Sequence, residues 1–314
     1  MKKIKINLKR SKLYQLYYLF LFRIKSGLFK KFKKPLLAGI KITNMCNLKC
    51  LHCPFWRNEE KQSLSWENIK KILKRLNDDG VKIVIFEGGE PLLWKDIKAG
   101  KNINDVISLS KAYFFSTAVT TNATLDLSAV NSDIIFISLE GLEKTQNKIR
   151  GNVFNLIMEN IKNNNKKKII VNITISKINI DDVIPLIRFL QNKVYGITVQ
   201  FFYPYEEVED MGLNEKEKEA IINKILELKK QGFDILDSSA ALKKIIKNDW
   251  KCEDYLVASV DPDGKINYGC YLKNRVKNIS CKNCGFLAHC EISMSFQLNL
   301  DALISAKNIF WGKA

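Results

Sequence analysis

Residues 36–53 read LLAGIKITNMCNLKCLHC, an apolar run followed at once by three cysteines. The run at 36–42 has the composition of a buried β-strand. Cys46, Cys50 and Cys53 come directly after it with the spacing C-x3-C-x2-C. A structural zinc site needs four protein ligands, and His52 is the only obvious candidate for a fourth. The spacing therefore predicts a zinc site completed by His52, or an iron–sulfur cluster with one iron that no cysteine binds.

The other five cysteines lie far from this first group. They follow a gap of 198 residues, at positions Cys252, Cys270, Cys281, Cys284 and Cys290. Two tight groups in a chain of 314 residues indicate metal binding in a reducing compartment, not a disulfide framework. Five cysteines supply the four ligands of a second iron–sulfur cluster with one to spare, and zinc is the alternative metal.

Strand-like and helix-like segments alternate six times between residues 36 and about 235. The stretch SWENIKKILKRLNDDG, for example, indicates a helix capped by Ser65 and ended by Gly80. Such alternation predicts an α/β fold, a partial (β/α)6 TIM-like barrel with functional residues at the carboxyl ends of the strands. We expect three domains: a basic segment at 1–35, the barrel at 36–235, and a small Cys-rich domain at 236–314 that opens with a hairpin around DPDG.

The first 40 residues hold 12 of the 51 Lys and Arg residues and no Asp or Glu. The apolar run at 13–24 is too short to span a bilayer, and no small-residue cleavage site follows it as in a signal peptide. A helix docked on the core is one alternative. The composition favours a basic amphipathic helix on an anionic membrane surface, hence a cytoplasmic protein on the inner face of the cell membrane. Nucleic acid is not expected as a partner, because the aromatics lie among Leu and Ile.

The sequence CNLKCLHC after a first strand resembles the signature of the radical S-adenosylmethionine (SAM) superfamily over about residues 36–235. The run GGEP at Gly88–Pro91, at the end of the second predicted strand, resembles a second motif of that superfamily. The resemblance implies a [4Fe-4S] cluster on Cys46, Cys50 and Cys53, with the amine and carboxylate of SAM on the open iron.

The resemblance also implies a set of SAM contacts and an activity. Its predicted contacts are His52 near the adenine, Gly88, Gly89, Glu90 and Pro91 at the amino group, Ser138 and Glu140 at the ribose, Arg150 at the carboxylate, and Asn122 and Asn172 at the rim. The implied reaction is reductive cleavage of SAM to a 5′-deoxyadenosyl radical, with an electron donor such as flavodoxin or ferredoxin. No side chain is required as a general base.

The carboxyl-terminal region resembles a shortened SPASM or twitch domain, which holds an auxiliary cluster. The runs GCYLKN, CKNCGFLAHCEIS and GITVQFFYPYEE further resemble the hopene adenosyltransferase group, although that group carries a cysteine where this chain has Thr120. This implies a lipid substrate of the isoprenoid type, with Phe201, Phe202, Tyr203 and Tyr205 as candidate pocket residues. The alternative is a peptide or protein maturase. The intact cysteines and GGEP argue against a non-catalytic binding protein.

Overall fold

The computed structural model describes residues 11–29, 32–57, 60–205, 210–273 and 275–313. The strands are β1 (Leu37–Thr43), β2 (Ile83–Gly88), β3 (Lys95–Asp96), β4 (Lys101–Asn102), β5 (Ser116–Thr121), β6 (Ile134–Ser138), β7 (Ile169–Ile175), β8 (Gly196–Phe201), β9 (Val257–Val260) and β10 (Ile266–Tyr268). The helices are α1 (Lys12–Leu28), α2 (Trp66–Asp79), α3 (Ile103–Ser110), α4 (Glu143–Arg150), α5 (Phe154–Asn163), α6 (Val183–Leu190), α7 (Glu215–Lys230), α8 (Ser239–Lys247), α9 (Leu287–Phe296) and α10 (Leu300–Phe310).

Eight strands form one sheet in the order β10-β9-β1-β2-β5-β6-β7-β8, and β3 pairs with β4 in a short separate ribbon. The six strands from β1 to β8 in this order are parallel to their neighbours. This confirms the predicted α/β fold with six parallel barrel strands. Five of these strands are followed by a helix, whereas the predicted unit after β5 is wrong, because residues 122–133 lead to β6 without a helix. The hairpin β9–β10 extends the same sheet, because β9 pairs with β1 in parallel. The predicted domain boundaries at 35/36 and 235/236 stay a prediction.

Local signals fix most helix ends. Ser65 caps α2 through its hydroxyl, which accepts a hydrogen bond from the Asn68 amide, and Gly80 ends the helix with a φ of 109°. The run TQNKIRGNVFNLIMENIKNNN at 145–165 predicts one helix from the sequence. This prediction is wrong, because the structure divides the segment into α4 and α5 at Gly151, whose φ is 88°. A left-handed residue cannot continue a right-handed helix, so the chain changes direction there. Helices α3, α8 and α9 were not predicted from the sequence.

The two faces of the sheet differ in composition. The outer face packs against the helices through residues such as Ile40, Phe86 and Ile137, which are fully or almost fully buried. The inner face is apolar at the amino ends of the strands, where Ile309 and Phe310 pack against a group of buried residues: Ala118, Ile134, Ile170 and Leu236. The last turn of α10 therefore fills the base of the barrel. Among the described residues, no helix is long and apolar enough to cross a bilayer.

Two buried carboxyl groups join α9 to the barrel. Glu291 accepts a hydrogen bond of 2.5 Å from the Ser238 amide, and Asp237 accepts one of 2.7 Å from the Val199 amide. Burial raises the pKa of Asp237 to about 7, and burial together with the nearby Asp237 raises the pKa of Glu291 to about 8. These groups hold protons in the folded chain at pH values where the unfolded chain has lost them.

This arrangement predicts that the protein loses stability as the pH rises. A carboxyl with a raised folded pKa contributes stability below its unfolded pKa, and this is lost as pH rises through the folded value. From pH 6 to pH 8 the wild type should lose roughly 2 kcal/mol of unfolding free energy through Glu291. Glu291→Gln should lack this contribution, so its unfolding free energy should fall less over the same range. Urea unfolding at both pH values measures this difference. Equal pH slopes for the two proteins would contradict it.

Candidate active site

The loop that carries the first three cysteines rests on the backbone of Gly88 and Gly89. The Gly89 amide donates to the Thr43 carbonyl at 2.7 Å, and the Glu90 amide donates to the Met45 carbonyl at 2.8 Å. A Cβ atom on Gly88 would lie 2.2 Å from the Thr43 oxygen, and one on Gly89 would lie 2.1 Å from the Met45 oxygen. Any side chain at these positions would push the cysteine loop away from the end of β2.

The three cysteines sit on this loop at the carboxyl end of β1. Cys50 is buried, whereas Cys46 and Cys53 are partly exposed. Cys46 Sγ accepts a hydrogen bond from the Leu48 amide at 3.4 Å. Burial raises the pKa of Cys46, and burial also raises the pKa of Cys50 to about 11. The thiols therefore keep their protons until a metal displaces them.

Glu90, which was predicted to contact SAM, is fully buried and bonded within the protein. Its Oε1 accepts hydrogen bonds from the Thr121 hydroxyl at 2.8 Å and the Leu92 amide at 3.0 Å, and its Oε2 accepts one from the Asn122 amide at 2.8 Å. Its carboxylate thus ties the end of β2 to the end of β5. Burial is the largest influence on the pKa of Glu90, and it raises that pKa.

Glu140 and Arg150 form a buried ion pair beside Cys50. The guanidinium contacts Glu140 Oε1, and its other terminal nitrogen lies 3.7 Å from Cys50 Sγ. Glu140 Oε2 also accepts a hydrogen bond of 2.8 Å from the Thr174 amide. Burial alone would lower the pKa of Arg150, but Glu140 and the thiols of Cys50 and Cys53 outweigh it and raise that pKa. The pair places a permanent positive charge against the cysteine loop.

His52 belongs to the same group of side chains. Its Nε2 lies 3.9 Å from Glu140 Oε1, and its ring meets that of Phe202 edge-on with centroids 6.4 Å apart. Burial, assisted by the neighbouring Arg150, lowers the pKa of His52 to about 4. The imidazole is therefore neutral at pH 7, so Arg150 supplies the only positive charge within this group.

The remaining predicted SAM contacts are Asn122 and Pro91, which follow β5 and β2, Ser138 at the end of β6, and Asn172 in the middle of β7. Asn122 donates to Asn47 at 2.9 Å and lies 4.0 Å from Cys46 Sγ. Ser138 and Asn172 are paired in register on β6 and β7. Pro91 begins a short 3-10 turn after the glycines. The structure brings Asn122, Pro91 and Ser138 to one edge of the sheet, and the contacts of all four residues with SAM stay a prediction.

Sequence reasoning missed a charged group inside the barrel. Lys41 of β1 is buried, with its Nζ 3.3 Å from Glu87 Oε1 and in contact with the Tyr271 hydroxyl. The ammonium also lies over the ring of Phe55, 4.7 Å from its centroid. Tyr271 directly follows Cys270, so this contact joins the two cysteine regions. A charged residue inside an otherwise apolar strand was the one available signal.

The second group of cysteines lies near the carboxyl end of β8. The Gly285 carbonyl accepts a hydrogen bond of 2.9 Å from the Phe201 amide, which fixes the segment there. Burial, then Asp254 and the thiols of Cys284, Cys270 and Cys281, raise the pKa of Cys252 to about 12. The thiols of Cys270, Cys281 and Cys284 therefore lie near Cys252. Cys290 instead lies in the core, with its Sγ 3.6 Å from the sulfur of Met294.

The first group of cysteines has the donor chemistry of an iron–sulfur site. Within the described part of the chain, no three His, Cys, Asp or Glu side chains converge as ligands of one ion. The thiolates of a cubane bind different iron atoms, so they do not meet at one point. Three cysteines on one loop, with Arg150 beside them, offer thiolate ligands and a compensating positive charge. The first site therefore fits a cubane that keeps one iron free of cysteine.

A family model described as the radical SAM superfamily matches residues 40–190. This range contains the cysteine loop, the glycine pair and the Glu140–Arg150 pair. Over these residues, which are a little under half of the chain, the protein is similar to the radical SAM superfamily. Members of this superfamily use a [4Fe-4S] cluster and SAM. The match agrees with the resemblance read from CNLKCLHC and GGEP.

Individual relatives are more distant. The chain is 28% identical to Fe-coproporphyrin III synthase of Methanosarcina barkeri over 178 residues, which are 52% of this chain and 43% of that protein. It is also 28% identical to GTP 3′,8-cyclase of Campylobacter jejuni over 239 residues, 71% of each protein. The first match thus spans less than half of the relative's length.

Solved structures share the fold at lower identity. SuiB of Streptococcus suis, in a crystal structure bound to S-adenosylmethionine, superposes with a TM-score of 0.64 at 18% identity, covering 89% of this chain and 68% of SuiB. Native anSMEcpe with bound AdoMet and the Cp18Cys peptide gives a TM-score of 0.59 at 17% identity, covering 85% and 81%. These likenesses confirm the architecture of a partial barrel.

The close contacts of Gly89 predict that a side chain at this position displaces the cysteine loop. Gly89→Ala places a methyl group against the Met45 carbonyl, so the cysteine loop must shift, at a cost of about 1–3 kcal/mol. We expect a lower unfolding midpoint in urea and less iron at this site after anaerobic reconstitution. Gly27→Ala is the control, since its backbone has no left-handed φ and its added Cβ meets only the flexible end of the Arg23 side chain. Full iron loading of Gly89→Ala would contradict the predicted role of this glycine.

Proposed function

We propose that this protein is an enzyme that holds a [4Fe-4S] cluster on Cys46, Cys50 and Cys53 and cleaves SAM reductively. The observation that carries the proposal is the Glu140–Arg150 pair placed 3.7 Å from Cys50 on a loop seated on Gly88 and Gly89. When bound, the cluster would pass one electron to the sulfonium of SAM, which yields methionine and a 5′-deoxyadenosyl radical. A low-potential donor of the flavodoxin or ferredoxin type would supply that electron.

The residues of the chain bind and orient the cofactors in this proposal. Arg150 faces the cysteine loop and offers its guanidinium to the SAM carboxylate. Its Nε is buried and has no hydrogen-bond partner among the described residues, which leaves a donor for a ligand. The backbone of Gly88 and Gly89 provides a surface without side chains for the SAM amino group, whereas the Glu90 carboxylate holds the loop from behind. His52, which is neutral, offers an aromatic face to the adenine.

The inner face of the barrel favours a polar substrate. The apolar part of that face is already filled by Ile309 and Phe310. Above it, towards the cysteine loop, the paired inner positions are polar: Lys41 with Glu87, Asn172 with Thr198, and Thr174 with Gln200. Most of these side chains are partly exposed. We therefore infer that the group attacked by the radical lies among amides, hydroxyls and charges.

This inference weakens the lipid hypothesis drawn from the sequence. A lipid chain needs an apolar wall, and the aromatic residues expected to form one pack against each other. Phe201, Phe202 and Tyr203 are buried, and Tyr203 stacks on Phe286 with centroids 6.3 Å apart. A peptide, the alternative left open by the sequence, presents the polar groups that this wall would bind. The peptide-bound structures of SuiB and anSMEcpe share the fold alone and do not decide the substrate.

A second cluster is part of the proposal. Its proposed ligands are Cys252, Cys270, Cys281 and Cys284, which are exposed or partly exposed, whereas Cys290 is buried. Cys290 is left as a core residue packed on Met294. The Lys41–Tyr271 contact would then join the barrel interior to this second site.

SAM cleavage is the direct test of the proposed activity. The anaerobically reconstituted protein, with dithionite and SAM, should release 5′-deoxyadenosine or an adenosylated product detectable by chromatography. The triple variant of Cys46, Cys50 and Cys53 to Ala should lose this activity, because no ligands remain for the reactive cluster. The triple variant should still hold about four irons if the second group binds a cubane. Zinc in their place would contradict the second cluster.

Matched single variants locate the second site. Cys284→Ala should reduce the iron that remains in the triple variant, whereas Cys290→Ala should leave that iron unchanged. The proposed function would be overturned if the cluster-loaded wild type formed neither 5′-deoxyadenosine nor an adenosylated product.

The polar inner positions of the barrel predict that the substrate is soluble in water. We expect the aqueous fraction of a cell extract, more than the organic fraction, to accelerate 5′-deoxyadenosine formation by the wild type. Thr198→Val retains the volume of the side chain on the inner face of the barrel, but it loses the hydroxyl that donates to Asn172 at 3.1 Å. It should lower this stimulation by roughly tenfold, the effect of about 1.4 kcal/mol. Stimulation by the organic fraction alone would restore the lipid hypothesis.

A further inference from the structure

Helix α1 turns its apolar side to solvent. Leu13, Tyr17, Phe20, Ile24 and Leu28 follow one another at helical spacing, and Leu13, Phe20 and Leu28 are 78%, 63% and 70% exposed. We call these five residues the docking face. The opposite side of the helix buries polar residues, Gln15 and Ser26. A helix on the surface of a globular protein ordinarily shows the reverse arrangement.

The buried side of α1 holds the helix in this orientation. Tyr14 and Tyr18 meet the ring of Phe115 edge-on, with centroids 6.0 and 5.3 Å apart. The Trp311 indole donates to Gln15 Oε1 at 2.6 Å. The Tyr18 hydroxyl donates to the Gly80 carbonyl at 3.5 Å. Because these contacts use the polar and aromatic side, the docking face is left outward.

Helix α10 enlarges the exposed apolar surface. The residues on either side of α10 contact α1: Phe296, the last residue of α9, meets Phe22 with centroids 6.1 Å apart, and Trp311, which directly follows α10, bonds to Gln15. Leu300 and Ile304 of α10 are 76% and 58% exposed. Apolar patches shared by two helices are uncommon on proteins that act alone in water and mark contact with another apolar phase.

The charge around this surface identifies the occupant. The first 40 residues contain 12 Lys and Arg and no acidic residue, and Lys12 and Lys25 flank the docking face. We propose that the docking face and the exposed side of α10 bind an anionic membrane surface, with α1 in the plane of the interface. Apolar side chains would enter the headgroup region, and each nearby Lys or Arg would add about 1 kcal/mol of attraction to anionic lipid.

The fold also sets how the protein would stand on the membrane. Phe115 and Gly80 lie just before β5 and β2, so α1 covers the amino ends of the strands. The cysteine loop lies at the carboxyl ends, about 20 Å away for strands of six residues. The candidate active site would then open away from the lipid, towards water. This orientation agrees with a polar substrate that enters from water. The orientation rests on the proposed function, whereas the membrane binding does not.

Vesicle binding tests the proposal with the full-length, cluster-loaded protein. It should sediment with vesicles of equal phosphatidylglycerol and phosphatidylcholine, and bind pure phosphatidylcholine at least tenfold more weakly. The double variant Phe20→Ser, Leu28→Ser should lose at least tenfold in affinity, because it removes two apolar side chains that would enter the headgroup region. Ile97→Ser is the matched control, since Ile97 is 92% exposed but lies on the β3–β4 turn.

Three results would overturn the proposal. The first is equal binding to neutral and anionic vesicles. The second is a double variant that binds as well as the wild type. The third is a wild type that ignores vesicles but forms a dimer the double variant abolishes, which would make a second copy the occupant. Formation of 5′-deoxyadenosine without vesicles should be equal in wild type and double variant, so failure of the membrane proposal is distinct from failure of the proposed function.

Native tryptophans test the orientation. Trp311 contacts α1, whereas Trp56 lies in the cysteine loop, where its indole donates to the Cys50 carbonyl at 2.9 Å. Brominated phosphatidylglycerol should quench part of the fluorescence, and Trp311→Phe should remove that part while Trp56→Phe keeps it. Loss of quenching in Trp56→Phe alone would show that the site end faces the membrane, which would overturn the orientation.

Discussion

The candidate site depends on two carbonyl oxygens that occupy space where most residues carry a side chain. The oxygens of Thr43 and Met45 lie where Cβ atoms of residues 88 and 89 would be. This close approach brings the end of β1 against the end of β2. Glu90 then reaches on to Thr121 and the Asn122 amide. Three strand ends are thereby fixed in one place, and the cysteine loop takes its position from them.

Charge at the site is arranged around one buried ion pair. Removing Glu140 and Arg150 from water is costly, and their attraction offsets that cost only because further hydrogen bonds hold the carboxylate. The Thr174 amide supplies one of these bonds. With His52 neutral, the guanidinium is left as the positive group that faces thiol sulfur. A site built this way favours anionic ligands on its cysteine side, which suits both thiolates and a carboxylate.

Sequence reasoning predicted the features that are local in the chain. The cysteine spacing, the Ser65 cap and the six barrel strands are each encoded within a few neighbouring residues, and β1 was placed within one residue of its bounds. Helix α4 was predicted too long, because a single glycine in a helical pattern is often tolerated and only the left-handed φ of Gly151 shows a break.

Features formed by distant residues were beyond such reasoning. Lys41 meets Tyr271 across 230 residues, and strands buried on both faces do not reveal which side chains point inward. Likewise, the apolar composition of α1 was evident, but not which face of the helix the barrel would cover. The pairing of β9 with β1 is also non-local, and it makes the carboxyl-terminal hairpin part of the barrel sheet.

The hydrogen bond between Gln15 and Trp311 joins positions 296 residues apart. Helix α1 is synthesised well before the Trp311 indole that bonds to it and before Ile309 and Phe310, which fill the base of the barrel. The base of the barrel therefore closes only after residue 311 has been made, and the apolar side chains of α1 wait in the nascent chain until then. Contacts of such sequence separation form slowly. Synthesis of residue 311, not the folding of any one unit, thus sets the earliest point at which this end of the molecule is complete.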